Sequence, residues 1–459
     1  MEKYDAIVVG AGMGGLSAAA ILANNNKKVL CIDKGYNHKK GGRAYVEYVK
    51  HKEGIFRLDN GIHLIRYGHH SSYAKVFELA GIGKKFLDGA KPLGLTIFDN
   101  EKFYKLSGGS IASLLKADLC LVGKGKLFYQ MGKTRFKDIE NYYNKPLSEF
   151  LKEENLYNCD SLTRVFKALS IAMISCPDTK TASTGELLHH IQLVLKSRFG
   201  AFYPQGGMDA IIKPLEEKIK QHGEIINENI YGFYTQMPDS SKIFKVDYVV
   251  DKHGKQYFAK NIIFALPSFE FLGYIGQHSQ IIGNDYLKKC NIKPTKGLIV
   301  DIGLDTKEYE TDKIIVTINP PGLGFFPSSI DSTLVPSKKS LFTFLAFAED
   351  EDKALKKIVE QTIESMFPKI TEKILFEKER FSIVDGAELN IDQVYYKRPP
   401  NEVPGIEGLY LVGDATNAHG NGGELACNSA IKCCEEILSK SLATNCQPIT
   451  YPSHLAVHP

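Results

Sequence analysis

Three sets of residues in this chain have the types and spacing to do chemistry. The first is Gly10-Ala11-Gly12-Met13-Gly14-Gly15, which satisfies G-x-G-x-x-G directly after the apolar run Ala6-Ile7-Val8-Val9. Small helix-favouring residues follow, Leu16 to Ala23, and a second apolar run, Val29-Leu30-Cys31-Ile32, ends in Asp33. That is a strand-turn-helix-strand unit with an acid about 20 residues past the glycines. The glycines let backbone approach a pyrophosphate, and the helix N-terminus offers that anion unpaired N–H groups and a positive dipole end. Asp33 can accept from the ribose hydroxyls of an adenosine. The second set is Gly41-Gly42-Arg43-Ala44, whose arginine is a planar donor suited to phosphate oxygens. The third combines Gly413-Asp414, at the end of the apolar run from Gly408, with Gly420-Asn421-Gly422-Gly423-Glu424-Leu425, which opens a helix. His63 and His419 lie beside these sets, and imidazole titrates in the range useful for acid–base work. His69 and His70 read as surface residues.

These residues need elements to hold them. Arg57 to Leu64 reads as a strand and turn. From about Ser71 to Arg198 the pattern is mostly helical, with polar loops. Tyr203 to Met208 is a turn leading into an amphipathic helix over about Asp209 to His222, stopped at Gly223. Ile225 to Ile230 reads as the next strand, Tyr248-Val249-Val250 with the Lys252–Lys255 turn as a hairpin, and Asn261 to Leu266 as a buried strand ended by Pro267. Residues from about Lys293 to Val384 alternate and are rich in aromatic and β-branched side chains, which predicts an antiparallel sheet forming one wall of a cavity. The last helix is expected to run to about Ser439.

At 459 residues the chain is too long for one simple core. A net charge of +4, dispersed along the chain, excludes a nucleic-acid surface as the organising feature. The nine cysteines include no C-x-x-C pair and no zinc spacing, so they are read as reduced thiols of a cytoplasmic protein, with no metal site. The uncharged stretch from Ala6 to Ala23 has its glycine turn in the middle, which argues for strand-turn-helix rather than a membrane or signal segment. One segment stands apart. Between Lys116 and Lys137, Lys124, Lys126, Lys133 and Arg135 interleave with Leu119, Leu121, Val122, Leu127, Phe128 and Tyr129. It reads either as a solvated face over ordinary core or as a basic, apolar face that touches an anionic membrane peripherally.

Taken in order, the glycine signatures resemble those of the FAD-binding oxidoreductases of the amine oxidase superfamily, and within it the phytoene desaturase and carotenoid isomerase branch. The resemblance covers nearly the whole chain. It rests further on YPQGGMDAI from Tyr203, IIFALPSFE from Ile262, FFPSSIDSTLVPSKKSL from Phe325 and GLYLVGDATNAHGNGGELA from Gly408. It implies an α/β protein with a discontinuous Rossmann-type FAD domain (1–75, 196–285 and 385–440), a substrate domain of antiparallel sheet and helices (76–195 and 286–384) and a tail (441–459). It implies non-covalent FAD. Gly10, Gly12, Gly14 and Gly15 would cradle the pyrophosphate, Asp33 with Lys34 would meet the ribose, and Ile230 would set its backbone against adenine. Gly41, Gly42 and Arg43 would cover the pyrophosphate and flavin edge. Gly413 and Asp414 would bind the ribityl chain or pyrophosphate. Gly423, Glu424 and Leu425 would aim a helix N-terminus at the flavin N1–C2=O edge, stabilising the anionic reduced flavin.

The same resemblance implies hydride transfer on a carbon–carbon bond of a small hydrophobic, isoprenoid-like substrate, as desaturation or saturation, with His419 or His63 as the acid–base group. No second G-x-G-x-x-G follows a later strand, so electrons would pass to or from a diffusing carrier such as NAD(P)H. Amine or porphyrinogen oxidation remains open, with Tyr395, Tyr396 and Phe326 as candidates for an aromatic cage. So does double-bond isomerisation. A non-enzymatic reading, as in the Rab GDP-dissociation inhibitors that share this fold, sits poorly with three intact glycine signatures.

Overall fold

The computed structural model describes residues 3–107, 116–237 and 243–443. Two sheets organise the chain. The larger has strand order Ile230–Gln236, Phe244–Asp251, Gln256–Phe264, Lys3–Val9, Val29–Ile32, Gly223–Ile226, with Ile406–Glu407 and Leu409–Leu411 paired beside it. Its centre is parallel. Val9 sits level with Ile32 on one side and Phe264 on the other. Covered on both faces, these strands read as continuous apolar runs, and Ile7, Val8, Leu30 and Ile263 are fully buried. The helix Met13–Asn24 lies on one face and is itself wrapped by Asp209–His222 and Gly423–Ala443, which is why its small residues Ala18, Ala19 and Ala20 have no exposed side.

The second sheet has order Ile374–Asp385, Thr295–Leu304, Ser340–Phe347, Gly322–Phe325, Lys313–Thr317, Gly94–Asp99, Lys102–Ser107. It is antiparallel except where Lys313–Thr317 runs parallel to Gly94–Asp99. The helices Leu121–Arg135, Asp160–Ile174 and Thr184–Ser197 complete this half.

The helix over Asp209–His222 has the predicted ends, and Gly223 leaves it in an extended conformation. The hairpin of Phe244–Asp251 with Gln256–Phe264 is antiparallel as read. Three expectations differ. The segment from Ser71 to Arg198 is not all helix, since Gly94–Asp99 and Lys102–Ser107 are strands. The strand expected over Ile225 to Ile230 is two strands, ending at Ile226 and restarting at Ile230. The last helix continues to Ala443, and the remainder of the 441–459 tail lies outside the described residues.

Candidate functional site

The first glycine turn is built by steric exclusion. Gly10 has φ +109°, and a Cβ there would lie 2.4 Å from the Ala265 carbonyl oxygen. A Cβ on Gly15 would lie 2.0 Å from the Gly10 oxygen, so Gly15 lets helix and strand close up rather than lining the cavity. Gly12 faces open space and bridges to Gly41, which brings the two glycine sets together. The helix begins at Met13 with no side-chain cap and no acid in its first turn. Its leading N–H groups are therefore left for an anion.

Asp33 is held by two backbone donors, Ala11 N–H to Oδ2 at 2.8 Å and Gly35 N–H to Oδ1 at 2.7 Å. Each oxygen keeps a further lone pair for a hydroxyl. Lys34 lines the rim and pairs with Glu270 at 3.1 Å. Glu228, Asn229 and Ile230 continue the same wall, and the break between the two strands occurs at these residues. The Ile230 carbonyl accepts from the Tyr274 hydroxyl at 2.9 Å.

Arg43 and Asp414, 371 positions apart, form an ion pair with Nη2 to Oδ1 at 2.5 Å. Asp414 Oδ2 also accepts from Gly386 N–H at 2.6 Å. Both carboxylate oxygens thus have protein partners, and Asp414 fixes Arg43 and the Asp385–Gly386 corner beside the cavity. Gly413, Gly422, Gly423 and Glu424 line the wall next to them, but Leu425 does not: its side chain is fully buried in the helical core. Gly423 is pressed against the Tyr73 ring, where a Cβ would meet the hydroxyl at 1.7 Å.

The structure separates the two acid–base candidates. His419 is not on the cavity wall. Its ring stacks on His189 at 4.5 Å and lies 4.1 Å from Tyr395, and burial, with His189 and Arg398 adding, pushes its pKa down to about 3. Its Nδ1 is buried with no hydrogen-bond partner among the described residues. His63 does line the cavity, with Nε2 3.0 Å from the Asn60 carbonyl oxygen. Burial pushes it down to about 4, so it is a neutral hydrogen-bonding group near neutrality. Sequence reasoning gave Glu424 only a place at the helix start. In the structure its Oε2 accepts from Ser72 N–H at 2.7 Å, while Oε1 is buried with no hydrogen-bond partner among the described residues. Burial raises its pKa to about 7, against the lowering effects of the Ser72 bond and the Arg66 charge. Asp385, Arg66 and Tyr73, also missed, line the same corner, and burial raises the Asp385 pKa too.

Beyond this corner the cavity, about 730 Å3 in volume, becomes apolar. Leu127 and Met131 from one helix, Val165, Phe166 and Leu169 from the next, and Leu188, Ile191 and Leu195 from the third face Leu95, Ile299, Ile314 and Leu345 from the second sheet. None of the cage candidates lies here. Phe326 packs against Phe342 and Phe367, and Tyr395 and Tyr396 pack around Tyr143.

FAD fits these residues. The uncapped helix start, the open face of Gly12 and the doubly held Asp33 form one continuous strip. Asn60 Oδ1, Asn421 Oδ1 and Glu424 Oε1, buried without partners among the described residues, mark where polar ligand atoms would be accepted on the cavity wall. Asp33→Ala removes two charge-assisted acceptors. It is expected to weaken FAD binding about 10–100-fold, read by titration of flavin-depleted protein. Unchanged affinity would take Asp33 out of the site.

The sheets and the cavity define a mixed α/β protein with a Rossmann-like unit at its start, a fold shared with solved oxidoreductases. A family model for an NAD(P)-binding Rossmann-like domain matches residues 8–80. An oxidoreductase from Methanosarcina mazei has TM-score 0.74 at 19% identity, covering 95% of this chain and 100% of that one. Cyclohexylamine oxidase from Brevibacterium oxydans has TM-score 0.63 at 11% identity, covering 96% and 100%. In sequence, the inactive all-trans-retinol 13,14-reductase of Danio rerio is 25% identical over 305 residues, 55% of this chain and 48% of that protein. The all-trans-retinol 13,14-reductase of Macaca fascicularis is 44% identical over 64 residues, 14% of this chain and 10% of that protein. The chain thus spans about half or less of the length of these curated relatives.

Proposed function

We propose that this protein is an FAD-dependent oxidoreductase that transfers hydride to or from a carbon–carbon bond of an elongated hydrophobic substrate. One observation carries the reading: the strip that fits FAD and a deep apolar chamber are parts of the same cavity. Bound FAD would supply hydride chemistry at its N5. The chain's own residues do the rest. Leu127, Phe166, Leu188 and Ile299 exclude water and hold an apolar chain by burial. Arg43, fixed by Asp414, places positive charge at the polar end. Glu424, whose Oε1 is buried on the cavity wall without a partner among the described residues, would hold the proton that saturation adds to one carbon or desaturation removes from it, the neighbouring carbon exchanging the hydride. The all-trans-retinol 13,14-reductase of Macaca fascicularis, similar over 64 residues, carries a name that agrees with saturation of a polyene.

The test is anaerobic. Holoprotein reduced with dithionite is mixed with a conjugated polyene such as all-trans-retinol, and the oxidised flavin spectrum is expected to return in step with loss of one substrate double bond. Bleaching of oxidised holoprotein by small amines, with peroxide release in air, would replace this reading with amine oxidation. Polyene isomerisation by the reduced holoprotein without net reoxidation would replace it with double-bond isomerisation.

A further inference from the structure

The helix Leu121–Arg135 carries one face that the proposed chemistry uses and one that it does not. Leu127, Gln130, Met131 and Thr134 line the cavity. On the other side Leu121 is 87% exposed, Val122 66%, Tyr129 66% and Phe136, just past the last turn, 84%. At about 100° per residue these four fall in one stripe about 100° wide. The basic side chains are not scattered around it. Lys124 and Arg135 fall along one edge of the stripe, Lys126 and Lys133 along the other. Lys126 is bonded to the Asn155 carbonyl and Lys133 to Glu154, whereas Lys124 and Arg135 form no ion pair among the described residues. An outward apolar stripe with unpaired cations along an edge is the arrangement of a helix lying in a membrane interface, apolar groups in the acyl boundary and cations among anionic headgroups.

We propose that this helix docks the protein onto the surface of an anionic bilayer. No helix among the described residues is long and apolar enough to cross a membrane, so the contact is in-plane. Because the same helix walls the cavity, docking sets the apolar chamber one helix thickness from the lipid. An apolar substrate would then enter from the bilayer, a corollary that rests on the proposed function, whereas the docking does not.

The chain contains no tryptophan, which makes the test direct. Phe136→Trp introduces a single reporter. With holoprotein and vesicles of mixed phosphatidylglycerol and phosphatidylcholine, its emission is expected to shift to the blue and the protein to sediment with the lipid. Binding should be at least about tenfold tighter than to phosphatidylcholine alone and should weaken at high salt. In the same background Leu121→Ser with Val122→Ser is expected to abolish both signals while retaining flavin and helical circular dichroism. Emission unmoved by any vesicle, in protein that retains both, would overturn the docking. So would a blue shift that grows with protein concentration in the absence of lipid, since a second copy would then cover the stripe. Vesicle binding without polyene turnover would leave the docking standing and count against the proposed reaction alone.

Discussion

Glu424→Gln is expected to lower turnover by about 10²–10⁴-fold, the range typical for loss of a positioned acid or base, with little change in bound flavin. Glutamine keeps the acceptor for Ser72 N–H but cannot exchange a proton. The wild-type rate of saturation should be highest below pH 7 and fall as pH rises through the raised pKa of about 7, because the donor is the protonated form. The variant should lose that limb. A stability signature accompanies it. The unfolded carboxyl loses its proton near the ordinary value of 4.5, whereas the folded one holds it to about 7. Between those values the folded state binds more protons, so stability falls with rising pH and the full cost is present above 7. Glu424→Gln should therefore flatten the fall in unfolding free energy between pH 5 and 8, by up to about 3 kcal/mol. His419→Phe provides the contrast. It alters only packing among His189, Tyr395 and Tyr143 and should keep the wild-type pH profile. A Glu424→Gln enzyme with unchanged turnover and pH profile would remove Glu424 from the chemistry.

The second large effect is structural. Arg398 is completely buried, donating to the carbonyls of Thr416 and Ala418 at 2.8 Å each and of Gln393 at 3.2 Å, and facing Glu186 at 3.5 Å. It joins the loop after Asp414 to the helix Thr184–Ser197, which lines the chamber. Burial dominates both partners, lowering the arginine pKa and raising that of Glu186. Removing one member leaves the other as an uncompensated buried group. Arg398→Met is expected to destabilise the protein by about 3–5 kcal/mol, and adding Glu186→Gln should recover part of that loss. Urea unfolding of the two variants reads both values, and a single-variant loss below about 1 kcal/mol would contradict the structural role.

Much of the nucleotide half was legible because its signals are local. The glycine turn, the acid at Asp33 and the helix Asp209–His222 each declare themselves within about 20 residues. What the sequence concealed depends on contacts between distant segments. Gly94–Asp99 pairs with Lys313–Thr317 more than 200 positions away, and burial on both faces of that strand erases the alternation that marks one. The ion pair of Arg43 with Asp414 joins residues 371 positions apart, which no local pattern announces. His419 and Glu424 are five residues apart at one loop and helix start, yet the chain turns the first onto His189 and Tyr395 and the second onto the cavity wall. Residue type favours the histidine, whereas of the two only the glutamate lines the cavity. The stripe from Leu121 to Phe136 was visible as a composition, but which side of the helix faces the cavity was not.

The most direct test of the account is the absorption spectrum of the purified full-length protein, before and after incubation with FAD and removal of the unbound cofactor. The account predicts a yellow protein with the two bands of oxidised flavin in about one equivalent per chain, released on denaturation because the binding is non-covalent. A colourless protein that FAD does not reconstitute, although folded by circular dichroism, would contradict the central claim.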